Sequence, residues 1–452
     1  MKTTTVLWIL LPLAALSLVV ALYVAREAEA RAPSNLVWDE DEMAFVRRMV
    51  ADTYVDELSE PQSREAFYAC IDGYMKSLPD EYNDFLPPEE YKKWSENTAG
   101  HYAGVGVRIE ARKEGLLLAG VLPGGPAAKA GLRAGEIVTT VDGRSLAEAE
   151  SARDVHVKLL KGPVGSTVNV TVLGALAADA PAGTARPSRD VTITRDIVSP
   201  PTVFARRLGP GAKIGYLRVT EFVEATAVDF DHELDAMVAA GLKSVIVDLR
   251  GNGGGLLPTT VHMADRFISQ GEIVRMTGRT KSSRRVEMAK AEGTIPDGVG
   301  LYVLVDGGSA SASEVFSGCI QDYRRGVLLG TRTYGKFLVQ NITEIPGRAA
   351  AIKITTARYQ TPNGHSYARN PKDRDGPAQG LTPDIVVELS ADDKAKFLKS
   401  WANFEEATWG AALKYPEVPA DWVDPQLQKA LDLIAGNLLL QDIRTGTEKK
   451  NG

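Results

Sequence analysis

Apolar positions fall into distinct textures along the chain. The first is an unbroken uncharged run over residues 6–24, with Lys2 before it and Arg26 after it. At 1.5 Å rise per residue, a helix of this length approaches the roughly 30 Å of bilayer hydrocarbon. The run exceeds the roughly 7–15-residue apolar core of a signal peptide, which favours an uncleaved anchor. Ala28-Glu29-Ala30 has the small-x-small form of a cleavage site, which favours removal. Residues 1–30 therefore read as a membrane anchor or a signal peptide. Lys2 on one side and Arg26 and Arg31 on the other do not set an orientation. Both readings place the main body outside the cytoplasm, on the periplasmic or cell-surface side.

The second texture has a helical period. Phe45, Val46, Met49, Val50, Tyr54 and Val55 recur at three- and four-residue spacing, and Phe67, Ile71, Tyr74, Met75 and Leu78 continue it. This predicts a helical segment over 39–98, with the two apolar stripes packed as an amphipathic pair. From His101 the texture turns to short strands among glycines, at 105–109 and 116–121. A short helix at 126–132 is ended by Gly131, and a strand with its turn follows at 135–143. A helix at 147–160 and a strand at 168–173 come next. Residues 174–190, rich in Ala, Pro and Gly, read as an exposed loop, and a closing strand runs over 191–195. The β-rich unit spans 101–197. Beyond residue 200, strands at 213–219, 244–249 and 301–305 alternate with helices at 225–240, after Gly255, and at 311–323. That alternation predicts a layered α/β core over 200–390. Residues 391–452 form a mostly helical tail.

Composition narrows the function classes. The 452 residues are 44% hydrophobic and 24% charged, ordinary values for folded domains. The length fits two or three of them. The formal net charge of -6 gives no attraction to nucleic acid. Two cysteines, Cys70 and Cys319, exclude a disulfide scaffold and a cysteine-rich zinc site. Five scattered histidines give no metal-ligand spacing, so no metal site is expected.

The candidate chemistry lies where the apolar strand Tyr302-Val303-Leu304-Val305 runs into Asp306-Gly307-Gly308-Ser309-Ala310-Ser311-Ala312-Ser313-Glu314. A strand that feeds a small-residue turn and then a helix presents free N–H groups and a positive dipole end, which favour developing negative charge. Read alone, the same residues also fit a capping serine in close packing. Lys336 is followed by Phe337, Leu338 and Val339. In dry surroundings a lysine gives up its proton more readily and can act as a general base. Read alone, it also fits a solvated surface lysine. The Ser–Lys pair is a known alternative to Ser–His–Asp. Gln340, four residues on, could orient the amine.

Taken together, these segments resemble the carboxyl-terminal processing (tail-specific) protease family, peptidase family S41. The family's Ser-Ala-Ser-Ala-Ser-Glu matches 309–314, which puts its catalytic serine at Ser311. Its lysine lies 25 residues later, at Lys336, and its glutamine at Gln340. Asp248-Leu249-Arg250-Gly251-Asn252-Gly253-Gly254-Gly255 resembles the family's glycine segment. The resemblance implies an oxyanion hole from Gly254, or a neighbouring glycine, with Ala312. Thr356 to Gly364, Gly380 to Asp384 and Leu78-Pro79-Asp80-Glu81-Tyr82 also match family segments. Two positions depart from the family pattern: Phe337 stands where a small residue is common, and Asp306 where asparagine is common.

Residues 102–195 resemble a PDZ domain. Gly104-Val105-Gly106-Val107 matches its carboxylate loop, and Pro126-Ala127 with Ala130-Gly131-Leu132 follows at the matching distance. Such domains add a peptide strand to a sheet edge. The resemblance implies a crotonase-like (ClpP/crotonase) core with an inserted PDZ domain, protein substrates with accessible, apolar C-terminal tails, and no need of a metal or organic cofactor. Two other readings stay open: a non-catalytic PDZ adaptor for protein C-termini, and a hydrolase of small esters. The sequence leaves open a homo-oligomer or a regulatory partner protein.

Overall fold

The computed structural model describes residues 40–146, 158–175, 184–369, 379–410 and 422–448. The apolar run at 6–24 and most of the helix expected over 147–160 lie outside them. Among the described residues, no helix is long and apolar enough to cross a membrane.

The chain divides into a unit spanning Met1–Ile71 and a unit spanning Asp72–Gly452. Helices Glu40–Thr53 and Glu60–Lys76 match the predicted period. Their packing differs from the expected amphipathic pair. Phe45, Val46, Met49, Val50, Tyr54 and Phe67 are exposed, and Met75 is the buried residue of the second helix. A period of 3.6 says which residues share a face, and says nothing of what covers it.

In the second unit, strands Val107–Arg112, Gly115–Val121, Ile137–Val141, Thr167–Leu173 and Ser188–Thr194 form one antiparallel sheet in that order, with Arg144–Ser145 paired to Ile137–Val141. Leu116, Leu118, Val141, Val168 and Val172 are fully buried in its own apolar core. Among the described residues, strand Val107–Arg112 pairs on one side only.

The larger sheet carries the site. Its order is Val203–Leu208, Ile214–Val219, Ser244–Asp248, Gly300–Val305, Val327–Gly330, Ile385–Val386. Ile214–Val219 and the four strands after it run parallel. Parallel strands need crossovers, and helices Glu224–Ala239, Leu257–Asp265 and Ala312–Asp322 lie in those connections. Both sheet faces are covered, which explains strands that are apolar throughout. Leu217, Val219, Val245, Val247, Val303 and Val305 face one core, while Tyr216, Ile246, Tyr302 and Leu304 face another with Phe397, Trp422 and Ile434. The tail helices Ala391–Gly410 and Pro425–Glu448 supply those last three residues or their neighbours. Loops at the C-terminal ends of parallel strands form the usual ligand crevice. Here those loops are the glycine segment after Asp248 and the serine turn after Val305.

A smaller sheet lies alongside. In it Ala351–Gln360 pairs with Asp84–Leu86, Glu272–Gly278 and Leu338–Glu344.

Candidate active site

Three serines occupy the turn, and their surroundings separate them. Ser309 and Ser313 are fully buried. The Ser309 hydroxyl donates to the Leu249 carbonyl at 2.8 Å, and that of Ser313 to the Asn252 carbonyl at 2.9 Å. Both hydroxyls fasten the turn to the glycine segment. Ser311 lines an open cleft of about 970 Å³ that Lys336 and Gln340 also line. It precedes helix Ala312–Asp322 with φ 55° and ψ -111°. Positive φ is uncommon and strained for a residue with a Cβ, and such conformations gather at functional sites. Ala312 opens the helix, where an N–H has no carbonyl within the helix to bond.

The glycine segment sits against this turn. A Cβ on Gly254, whose φ is +108°, would lie 2.9 Å from Ser311 Cβ and 3.0 Å from the Ala312 nitrogen. Only glycine allows that approach. The Gly254 N–H, however, donates to Asn252 Oδ1 at 2.8 Å. It is thereby taken up, and the flanking Gly253 and Gly255 line the cleft instead.

Lys336 follows Gly335, whose φ of +91° turns the chain into strand Leu338–Glu344. The Lys336 ammonium nitrogen lies 4.9 Å from the centre of the Tyr82 ring. Burial lowers its pKa below the usual lysine range, with help from Lys353, while Asp80 and Glu314 oppose the shift. Gln340 enters the cleft, but its Nε2 donates to Thr355 Oγ1 at 3.3 Å. Among the described residues no hydrogen bond joins it to Lys336. The strand register shifts between Val339 and Gln340, and such bulges re-aim side chains.

Both departures from the family pattern find an explanation. Phe337 is buried, with its ring 5.2 Å from that of Tyr367 at 61°. It packs into the main core. Asp306 Oδ1 accepts the N–H groups of Gly251 and Gly308 at 2.8 and 2.9 Å, which an asparagine oxygen could equally accept.

Sequence reasoning named Glu314 only as part of a motif. Its fully buried side chain joins the two halves of the site. Oε2 accepts the N–H of Ser311 at 2.9 Å and of Lys336 at 2.7 Å. Oε1 accepts the N–H of Gly335 and the hydroxyl of Thr333, each at 2.6 Å. Four donors fill a carboxylate's acceptors, and charge-assisted bonds of this kind are the strong ones. Burial still raises its pKa, against the pull of Thr333 and the three amides. The sequence signal was its place three residues after Ser311, at the third position of a helix, where a glutamate reaches back to the capping residue. The reach to Lys336 is tertiary. Glu314→Gln turns an NH2 towards two donors and breaks the clamp. The expected result is a kcat lower by about 10- to 150-fold, the equivalent of one charged hydrogen bond. A folded variant with wild-type kcat on an unfolded protein substrate would rule the clamp out.

Two family models match, Peptidase family S41 over residues 213–387 and PDZ domain over 118–174. A carboxy-terminal-processing protease of Bartonella bacilliformis is 31% identical over 395 residues, covering 84% of this chain and 85% of its own. A solved photosystem II D1 C-terminal processing protease is 29% identical, with TM-score 0.43, over 78% of this chain and 94% of its own. A crystal structure named for an S41 protease of Bacteroides fragilis NCTC 9343 covers 90% of this chain and 99% of its own at TM-score 0.50 and 16% identity, a likeness of fold alone. These matches make the chain a serine-type peptidase carrying a PDZ domain. The chain belongs to the carboxy-terminal-processing protease family.

Proposed function

We propose that the protein cleaves protein substrates delivered by their C-terminal tails, using Ser311 as nucleophile and Lys336 as general base. The observation that carries this reading is the sorting of the serines. Ser309 and Ser313 are buried and bonded to carbonyls, while Ser311 shares the open cleft with Lys336. In the proposed reaction the neutral Lys336 amine takes the Ser311 proton as Oγ attacks the peptide carbonyl. The carbonyl oxygen becomes an oxyanion held by the Ala312 N–H and by a glycine flanking Gly254. Lys336 then gives its proton to the leaving amine, and water releases the acyl group by the same route in reverse. Gln340 borders the cleft rather than holding the amine.

The substrate binds in two places on this reading. Phe222, Leu257, Val261, Met276 and Tyr359 give the catalytic cleft apolar walls, which suits apolar side chains. In the PDZ domain the loop carbonyls are tied back. Val105 accepts the Ala127 N–H at 2.8 Å, and Gly106 accepts the Leu122 N–H at 2.9 Å. Gly106 has φ +74°, a conformation that lets successive N–H groups converge on an anion. The next strand, Val107–Arg112, has its second edge unpaired among the described residues. A substrate tail adds there as a strand, with its carboxylate on the amides of Gly104-Val105-Gly106-Val107. The covered parallel sheet supports a crotonase-like core, and the apolar run at 6–24 supports a body outside the cytoplasm. Protease added to spheroplasts, with any outer membrane opened and the inner membrane intact, should reach that body, and protection would place it inside.

The tail reading is tested with one unfolded protein substrate ending in an apolar free carboxylate or in its amide. Amidation removes the charge. KM should rise about 10- to 150-fold, the loss of one charged hydrogen bond. Equal KM values would show that the loop is only a turn.

A further inference from the structure

The last helix begins beyond the region matched to the peptidase family, yet its first residues reach the glycine segment. Arg250 is 1% exposed. Its Nε donates to Asp248 Oδ1 at 3.0 Å and its Nη2 to Asp248 Oδ2 at 2.6 Å. Its Nη1 donates to Asp424 Oδ1 at 3.1 Å and to Gln426 Oε1 at 2.9 Å, and Nη2 lies 2.8 Å from Asp424 Oδ2. The Phe397 ring covers the guanidinium at 4.2 Å. Asp424 Oδ1 also caps helix Pro425–Glu448 by accepting the N–H groups of Gln426 and Leu427 at 3.0 and 3.2 Å.

Charge explains why the tail is needed here. Buried Arg218 and Arg250 face buried Asp248 and Asp424, two cations against two anions. Asp248 is shared between the two arginines, so Asp424 supplies Arg250 with a counter-charge of its own, and breaking one partner from such a buried group is strongly destabilising. The neighbours of Arg250 hold the nucleophile turn. The Gly251 N–H donates to Asp306. The Asn252 carbonyl accepts the Ala310 N–H at 3.0 Å and the Ser313 hydroxyl. Ala310 and Ser313 bracket Ser311, so a shift of Arg250 passes to the nucleophile through two short steps.

We propose that Asp424 is a positioning residue for the glycine segment and Ser311, acting through the buried Arg250 guanidinium, so that the C-terminal helix completes the active site. This inference rests on Ser311 as nucleophile, and its test includes a readout that does not. Asp424→Asn keeps the capping oxygen and removes the charge. In the full-length chain, amide hydrogen exchange over 249–255 should quicken about tenfold or more. Labelling of Ser311 by a fluorophosphonate, and kcat, should fall by about tenfold, with KM within about twofold. Asp432→Asn changes a residue of the same helix bonded to exposed Gln428, and should alter none of these. Unchanged loop exchange in folded Asp424→Asn, or faster exchange with wild-type labelling, overturns the proposal. If Asp424→Asn does not fold, Gln426→Met decides, because it removes one Arg250 acceptor and keeps the charges. Quicker loop exchange and slower labelling support the proposal, and wild-type exchange overturns it. If the wild type is neither labelled nor active, the nucleophile assignment fails, and loop exchange alone still decides whether the tail holds the segment.

Discussion

Ser311→Ala should abolish peptide-bond cleavage, lowering kcat by a factor on the order of 10⁴ or more, with an unfolding temperature close to wild type. Only one hydroxyl is lost, and it faces the cleft rather than a buried partner. Alanine inherits the same positive φ, so the backbone strain is neither added nor relieved. The neighbouring serines should behave in the opposite way. Ser309→Ala and Ser313→Ala each remove a buried bond to a carbonyl, costing about 1–3 kcal/mol of stability. They leave the nucleophile in place. Kinetics and thermal unfolding of the three variants check this. Wild-type turnover in Ser311→Ala would move the nucleophile elsewhere.

Lys336→Arg should be nearly as damaging as Lys336→Ala, each costing a factor on the order of 10³ or more in kcat. Arginine keeps its proton at any working pH and cannot serve as base. The pH dependence follows from the same group. Burial, then Lys353, lower the Lys336 pKa, and only the neutral amine accepts a proton. Activity should fall as pH drops through that lowered value. Stability moves in the same direction. The unfolded chain holds this proton up to the ordinary value of 10.5 and the folded chain loses it earlier. Between those two values the unfolded state binds more protons, so stability rises with pH there. Lys336→Met should accordingly raise the unfolding temperature near neutral pH while destroying activity. Retained turnover in the arginine variant would remove Lys336 from the mechanism.

Much of this site was legible because it is local. The run of small residues around Ser311 after an apolar strand, and the apolar neighbours of Lys336, follow from sequence and backbone rules alone. The alternation of strands and helices gave the layered core, since a parallel strand must be reached by a crossover. Features that depend on direction were not legible. The glycine spacing placed Gly254 beside Ser311, but no pattern says that its N–H turns to Asn252. Gln340 stands four residues after Lys336, yet a register shift sends its amide to Thr355. The stripe through Phe45 and Met49 has a clear helical period, and it lies exposed. Glu314 and Asp424 were missed as connectors because each joins residues far apart in sequence. Glu314 at least carries a local sign, as a glutamate at the third position of a helix. Asp424 beside Pro425 carries only that of a helix cap, with nothing to tie it to Arg250.

The central claim is that Ser311 is made nucleophilic by Lys336. Its most direct test is fluorophosphonate labelling of the full chain, with the adduct located by mass spectrometry and the rate followed against pH. The account predicts one adduct, on Ser311, whose rate falls as pH drops and which is nearly absent in Lys336→Arg. An adduct on Ser309 or Ser313, or a Ser311 rate unaffected by the loss of the lysine amine, would contradict it.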